Sequence, residues 1–187
     1  MKIHHPKVRT IFREEVGKNI SDPSLLNNYR SFVIQGFLAA VTTIIVFFAI
    51  DIFYNAIVGA ALAATAFGMF LNPSGRLSRI RAFVGGHTLA IVLGLALTVL
   101  TRSLDVETFD ASSVRTIFTV VLVLGLGCFV LFVLMACIDC EHPPAAGMLV
   151  GLYGIGIDIV LISALLVSLI ALVCIKLLIR GRLQNLV

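Results

Sequence analysis

Residues 137–153 combine ionisable side chains, two adjacent prolines and a run of small residues between two long apolar stretches. Lipid offers such groups no hydrogen-bond partners, so a segment of this kind in a membrane protein must face protein or water. His142 stands directly before Pro143 and Pro144, and proline is favoured in the first turn of a helix. The pattern therefore predicts a short helix that starts beside a histidine able to exchange a proton near neutral pH.

The first free backbone amides of this helix are expected at residues with small side chains: Ala145, Ala146 and Gly147. A helix N-terminus carries partial positive charge and attracts anions, which favours an anion site here with His142 as an additional donor. A plain helix cap at the membrane surface explains the same residues, and both interpretations stay open. Asp139 and Glu141 would oppose an anion unless they are protonated or paired with arginine. Together with Asp158 they are candidates for proton coupling.

A second polar element, Gly85-Gly86-His87, lies near the start of another apolar stretch. Two glycines inside a membrane helix allow close packing or a kink. We expect His87 one turn inside the helix, at a depth where it could share a site with His142. A histidine bonded to a neighbouring carbonyl is the competing interpretation. A third element begins with Asn72 and Pro73, which break a helix.

Three arginines follow that break, at Arg76, Arg79 and Arg81. Topology signalling alone accounts for them, and their spacing allows at most one to reach a pore mouth. Cys137 and Cys140 with a following histidine could suggest a metal site, but a second ligand pair is missing. The sequence contains no phosphate loop and no catalytic triad pattern. We therefore expect no metal, no cofactor and no enzymatic activity.

Composition sets the class of protein. Of 187 residues, 59% are hydrophobic and 13% are charged, and the mean hydropathy is +1.08. Soluble domains carry roughly 25% charged residues. Apolar stretches at residues 32–50, 52–71, 83–100, 114–138 and 158–179, with the short helix at 143–156, predict an all-α membrane protein with about six transmembrane helices. Each long stretch suits a hydrocarbon core of about 30 Å. The net charge of +4 lies in basic segments that orient the chain, so we expect no nucleic-acid partner.

If the short helix crosses the membrane, all three basic segments fall on one side, which places both termini in the cytoplasm. The expected organisation is a cytoplasmic amphipathic arm at 1–30, a transmembrane domain at 31–180 and a short cytoplasmic tail at 181–187. A weak likeness between residues 62–67 and 144–149 suggests an inverted three-helix repeat, an architecture found in many transporters.

The motifs Glu141-His142-Pro143-Pro144-Ala145-Ala146-Gly147, Asn72-Pro73 and Arg81-Ala82-Phe83-Val84-Gly85-Gly86-His87 resemble those of the HPP family of integral membrane proteins. Some plastid and cyanobacterial members of that family are described as nitrite transporters. The resemblance implies a transporter or channel for a small inorganic anion, with His142 and His87 as site residues. Glu141 after Cys140 departs from the small residue that often precedes this histidine in the family.

We therefore expect the chain to move a small anion such as nitrite, with or without a proton, across a bacterial inner membrane. A homo-oligomer is compatible with this expectation. The alternative is a non-transporting membrane scaffold or subunit that packs with a partner protein. The expected substrate-binding residues are His142, His87, Ala145, Ala146, Gly147, Gly86, Asn72 and Arg81.

Overall fold

The apolar stretches form six α-helices in the computed structural model, which describes residues 23–50, 56–103, 114–156, 158–179 and 181–186. The helices are α1 Pro23–Ile50, α2 Ala56–Leu71, α3 Ile80–Ser103, α4 Val114–Cys137, α5 Pro144–Ile155 and α6 Ile159–Ile179. A short 3₁₀ turn, Arg76–Ser78, precedes α3. Over these residues there is no β-strand, and the predicted all-α fold is confirmed.

Four of the helices, α1, α3, α4 and α6, are long and apolar enough to cross a membrane. The other two are shorter. Helix α2 has 16 residues and α5 has 12, which correspond to about 24 and 18 Å at 1.5 Å per residue. Both lengths are below the roughly 30 Å of a hydrocarbon core, so a full crossing by α5 stays a prediction.

Contacts between helix ends fix the direction of each helix. Three side-chain hydrogen bonds of 2.5–2.7 Å join these ends: Gln35 Nε2 to Phe70 O, Lys176 Nζ to Pro73 O, and Arg76 Nη2 to Asp139 Oδ1. The starts of α1, α3 and α5 and the ends of α2, α4 and α6 therefore share one end of the bundle. We call it the basic end, because it holds Arg76, Arg79, Arg81, Lys176 and Arg182.

The short helix α5 lies inside the bundle, packed chiefly against α3 and α2. Small residues allow this close approach, as is usual in membrane proteins. A Cβ atom on Gly151 would lie 2.5 Å from Val58 Cγ2, and one on Gly94 would lie 3.2 Å from Leu152 Cβ. Since its two ends lie near Gly86 and Arg102, α5 runs beside most of the length of α3.

The expected boundary between arm and membrane domain falls within a helix. Helix α1 begins at Pro23, and Asn28 interrupts its regular geometry with φ −123° and ψ 21°. Residues 1–22 of the expected amphipathic arm lie outside the described residues, as do Asp51 and the loop at 104–113. Two successive sets of three helices are compatible with the suggested repeat, which stays a prediction.

Candidate functional site

The turn after α4 folds back toward α3. Asp139 adopts a left-handed conformation with φ 54°. Its amide donates to Ala136 O at 3.4 Å, and the amide of Cys140 donates to Met135 O at 3.0 Å. This pair of bonds is the Schellman arrangement that ends many helices, usually with glycine or asparagine at the left-handed position. Aspartate tolerates that position better than most residues, and the turn directs His142 into the bundle.

Two glycines of α3 provide the space that this turn occupies. A Cβ atom on Gly85 would lie 2.8 Å from Cys140 Cβ, and one on Gly86 would lie 2.7 Å from His142 Cβ. Carbon atoms that are not bonded to one another do not approach so closely, so any larger residue would displace the turn. The Gly-Gly-His and His-Pro-Pro motifs therefore belong to one site.

The two histidines of these motifs meet across a threonine of α2. Their imidazole centroids are 4.9 Å apart, with an angle of 68° between the rings. Thr65 Oγ1 lies 2.8 Å from His87 Nε2 and 2.8 Å from His142 Nε2. The three side chains are buried, with at most 3% of each residue exposed. The expected proximity of His87 and His142 thus arises through a residue that the sequence analysis did not select.

When both imidazole rings are neutral, the number of protons on His87, Thr65 and His142 determines which atom donates in each hydrogen bond. His142 Nδ1 lies 3.2 Å from Leu77 O, a pure acceptor, so this nitrogen carries the proton. His142 Nε2 then accepts from the Thr65 hydroxyl. Since that hydroxyl has one proton, His87 must donate its own Nε2–H to Thr65 Oγ1. The result is a directed chain that runs from His87 through Thr65 and His142 to the Leu77 carbonyl.

The Thr65 hydroxyl has a second acceptor within reach, because Ala61 O lies 3.0 Å from Oγ1. The hydroxyl can therefore rotate away from His142 without losing its hydrogen bond. His87 Nδ1 stands at the other end of the chain, buried and without a hydrogen-bond partner among the described residues. In the neutral pattern this nitrogen is a bare lone pair that can accept a proton or a donor.

The acidic residues of the turn are paired with arginine at the surface. Arg76 Nη2 lies 2.7 Å from Asp139 Oδ1 and 2.7 Å from Glu141 Oε2. The hydrogen bond from Arg76 is the main reason why the pKa of Asp139 lies below its usual value. Arg81 donates to Ile138 O and lies 3.9 Å from Asp139. These residues brace the turn above the histidines, and their predicted roles in anion binding and proton coupling remain untested.

The amides at the start of α5 are already engaged. Ala145 N donates to His142 O at 2.9 Å, and Ala146 N donates to Pro143 O at 3.1 Å. The expectation that these two amides are free is therefore wrong, because the turn itself supplies carbonyl partners. An anion there would have to displace a hydrogen bond, so the amides of Ala145 and Ala146 are a less favourable binding site than the histidines. The role of the Gly147 amide stays a prediction.

Two other predicted site residues lie away from the histidine pair. Asp158 caps α6: its Oδ1 accepts from the amides of Val160 at 2.8 Å and Leu161 at 3.2 Å. It stands at the end of the bundle opposite the basic end, so the structure does not bring it to the site. Asn72 shapes the loop before α3, where its carbonyl accepts from Gly75 N and from Ser78 Oγ.

The cysteines do not assemble a metal centre within the described residues. Cys137 is exposed and Cys140 is buried beneath the turn. No three His, Cys, Asp or Glu side chains in the described ranges are placed to hold one ion. Burial is the main reason why the pKa of the Cys140 thiol is raised, so this thiol stays protonated near neutral pH.

These features define a class of protein. Apolar helices with lipid-compatible outer surfaces surround the buried cluster of His87, Thr65 and His142, an arrangement typical of polytopic helical membrane proteins. The chain belongs to the HPP family, because the family model described as HPP, transmembrane region, matches residues 26–184. That match begins within α1 and ends after α6. No curated protein matches the chain, and no solved structure matches it either.

Proposed function

We propose that the protein carries a small inorganic anion across the membrane together with one proton. The observation that carries this proposal is the buried His87–Thr65–His142 chain, whose three members lie within hydrogen-bond distance of one another. Ionisable groups inside a membrane protein are costly and usually serve transport, binding or proton transfer. Nitrite is the first candidate substrate, because the motifs resemble those of a family in which some members are described as nitrite transporters.

The chain accepts a proton without moving any heavy atom. A proton arriving at His87 Nδ1 makes that ring an imidazolium, which still donates through Nε2 to Thr65. If the Nε2 proton passes to Thr65 Oγ1 and the Thr65 proton passes to His142 Nε2, the positive charge moves to His142. Both charge positions keep the bond from His142 Nδ1 to Leu77 O. The hydroxyl thus links the two rings into one proton acceptor.

The pair holds one positive charge and not two. At the 4.9 Å separation of the rings, two unit charges would repel by about 3 kcal/mol at an effective dielectric constant of 20. One buried charge without a counterion is itself unfavourable. A monovalent anion beside the charged ring removes that cost, so anion and proton favour each other's binding. This coupling predicts electroneutral cotransport with one proton for each monovalent anion.

The surface above the pair attracts anions. Arg76, Arg79 and Arg81 stand against the carboxylates of Asp139 and Glu141, which leaves one positive charge in excess among these five residues. Excess charge at the mouth of a site raises the local concentration of the opposite ion. Basic ends of this kind normally face the cytoplasm. We therefore extend the proposal to a bacterial inner membrane with the basic end inside.

The test is uptake by the purified protein in liposomes. Wild type is expected to accumulate nitrite when the outside is acidified, with no net current at clamped voltage. Thr65→Val keeps the shape of the side chain but breaks the chain, and should reduce uptake at least tenfold. Thr65→Ser keeps the hydroxyl and should retain most of it. Thr98→Val is the matched control, since the hydroxyl of buried Thr98 donates to Gly94 O of its own helix.

Each outcome bears on the proposal. Equal uptake by Thr65→Val and Thr98→Val would refute the role of the chain. Uptake that carries current would refute one-to-one coupling while leaving anion transport intact. If folded wild type moves none of nitrite, nitrate, formate or chloride, the transport proposal fails, and a non-transporting scaffold becomes the better account.

A further inference from the structure

The loop between α2 and α3 is held by its own backbone hydrogen bonds. Asn72 N donates to Gly68 O at 3.0 Å, which joins the start of the loop to the last turn of α2. Gly75 N donates to Asn72 O at 3.0 Å, and Ser78 N donates to Gly75 O at 3.1 Å. These bonds lead directly into the 3₁₀ turn Arg76–Ser78. The 3₁₀ turn is therefore tied through the loop to the end of α2.

Two residues of this 3₁₀ turn contact the segment that carries His142. The guanidinium of Arg76 lies 2.7 Å from a carboxylate oxygen of Asp139 and 2.7 Å from one of Glu141. The carbonyl oxygen of Leu77 lies 3.2 Å from His142 Nδ1. The first contact is at the surface, whereas the second reaches the buried imidazole. The 3₁₀ turn thus holds both the backbone turn after α4 and the ring of His142.

Ser78 fastens the other side of the 3₁₀ turn to α2. Only 3% of this residue is exposed, and its hydroxyl lies 2.9 Å from Gly68 O and 2.7 Å from Asn72 O. A buried hydroxyl is costly to leave without an acceptor, so these two carbonyl groups keep Ser78 in place. Because Leu77 directly precedes Ser78 in the chain, the same hydrogen bonds determine where the Leu77 carbonyl lies.

The Leu77 carbonyl determines which nitrogen of His142 carries the proton. A carbonyl oxygen only accepts, so it selects the neutral ring that is protonated on Nδ1. Nε2 of that ring has a free lone pair, which can accept from the Thr65 hydroxyl. The other neutral form would set a lone pair against the Leu77 carbonyl and would make Nε2 a donor. Thr65 could then no longer pass a proton to His142.

We infer that Ser78 is a positioning residue that keeps His142 in the proton-accepting form by holding the Leu77 carbonyl against Nδ1. Its role in transport rests on the proposed proton-coupled function and adds a direction to it. The bond from Nδ1 to a carbonyl closes the chain on the side of the loop. A proton therefore enters and leaves through His87 Nδ1, the buried nitrogen at the opposite end of the chain.

The test reads the protonation of the His142 ring nitrogens directly. The full-length protein is labelled with nitrogen isotope in histidine, placed in lipid nanodiscs above neutral pH, and studied by NMR, because the chemical shift of a ring nitrogen reports whether it carries a proton. The spectrum of His142→Gln assigns the signals. We expect the proton of wild-type His142 on Nδ1 and that of His87 on Nε2.

Ser78→Ala removes the hydroxyl and should raise the ratio of the Nε2–H form to the Nδ1–H form of His142 about fivefold, the effect of one lost hydrogen bond. Ser78→Thr keeps a hydroxyl and should give the wild-type spectrum. Ser163→Ala is the matched control, because the Ser163 hydroxyl also lies near two carbonyl oxygens, those of Ile159 and Val160 in its own helix.

An unchanged His142 spectrum in Ser78→Ala, or an equal change in Ser163→Ala, would overturn the inference. If Ser78→Ala does not fold, Arg76→Gln changes an exposed residue of the same 3₁₀ turn and should shift the ratio in the same direction; no shift would count against the inference. Nitrite uptake is measured in parallel. Absence of uptake with the expected spectra would refute transport alone, whereas uptake with unchanged spectra would refute the role of Ser78 alone.

Discussion

Gly86→Ala places a methyl group against the turn that carries His142. The new Cβ atom would lie 2.7 Å from His142 Cβ and 3.3 Å from Cys140 O. Neither neighbour is the end of a flexible side chain, so the turn itself must move. Reaching an ordinary contact of about 3.4 Å requires a shift of about 0.7 Å. Added to the 2.8 Å bond between Thr65 and His142, this shift gives about 3.5 Å, where a hydrogen bond is lost.

Gly86→Ala changes the free energy of unfolding through two destabilising contributions and one stabilising contribution. Overpacking a well-filled core costs about 1–3 kcal/mol, and the broken hydrogen bond costs about 1 kcal/mol. Alanine gains up to about 1 kcal/mol over glycine inside a helix. The sum predicts that Gly86→Ala lowers the free energy of unfolding by about 1–3 kcal/mol. Proton-coupled nitrite uptake should fall with the loss of the bond to Thr65.

A matched control is available in the same protein. Gly68 lies in α2, and a Cβ atom there would have no atom within 4 Å of it. Gly68→Ala should therefore leave stability unchanged or raise it by up to about 1 kcal/mol. Both variants are compared with wild type by denaturant unfolding in detergent and by liposome uptake. If Gly86→Ala proves as stable and as active as Gly68→Ala, the argument that the glycine pair makes room for the turn is refuted.

Two further substitutions test the surroundings of the site. Asp139→Asn keeps a residue that tolerates the left-handed conformation and removes only a solvent-exposed ion pair with Arg76. Exposed ion pairs contribute little to stability, so the unfolding midpoint at pH 7 should change little, whereas Asp139→Val should lower it. Arg76 holds the pKa of Asp139 below its usual value, so the stabilising effect of this carboxylate is present above about pH 4 and is lost only as the pH falls through the lowered pKa. The difference in unfolding midpoint between wild type and Asp139→Asn should therefore stay constant from pH 6 to 8. A difference that changes over this pH range would contradict the argument. Gln35→Leu leaves Phe70 O and Gln184 N without their partner and should lower the free energy of unfolding by about 1–3 kcal/mol. Amide hydrogen exchange in residues 181–186 should become faster. Unchanged exchange would show that Gln35 does not hold this segment.

The helices could be predicted from the sequence because their signals are local, and the proximity of the two histidines was predicted from their similar depth in the membrane. Apolar length and the Pro-Pro pair predict most helix bounds to within a few residues, but α1 begins at Pro23, nine residues before the apolar stretch that starts at residue 32. Thr65 was missed because one threonine in an alanine-rich helix usually bonds its own backbone, as it also does here to Ala61 O. Its contacts with His87 and His142, which are 22 and 77 positions away in the sequence, depend on tertiary packing alone.

The roles expected of the Ala145 and Ala146 amides and of Asp158 differ from the contacts that these residues make. Ala145 and Ala146 looked accessible in the sequence, yet carbonyl oxygens of the turn occupy their amides. Asp158 was expected to be a candidate for proton coupling, although an aspartate just before an apolar helix is also a common N-cap, and here it caps α6. In both cases the group takes part in hydrogen bonds at the start of a helix, and these bonds leave it less available for a solute.

The bonds of Gln35 have a consequence for biogenesis. Its side-chain amide reaches Phe70 O, which the ribosome adds 35 residues later, and the backbone of Gln184, which follows after 149 residues. During synthesis the first helix therefore enters the bilayer with a polar group whose partners do not yet exist. A translocon or an insertase that shelters this amide until the later helices arrive would protect the nascent chain from premature degradation.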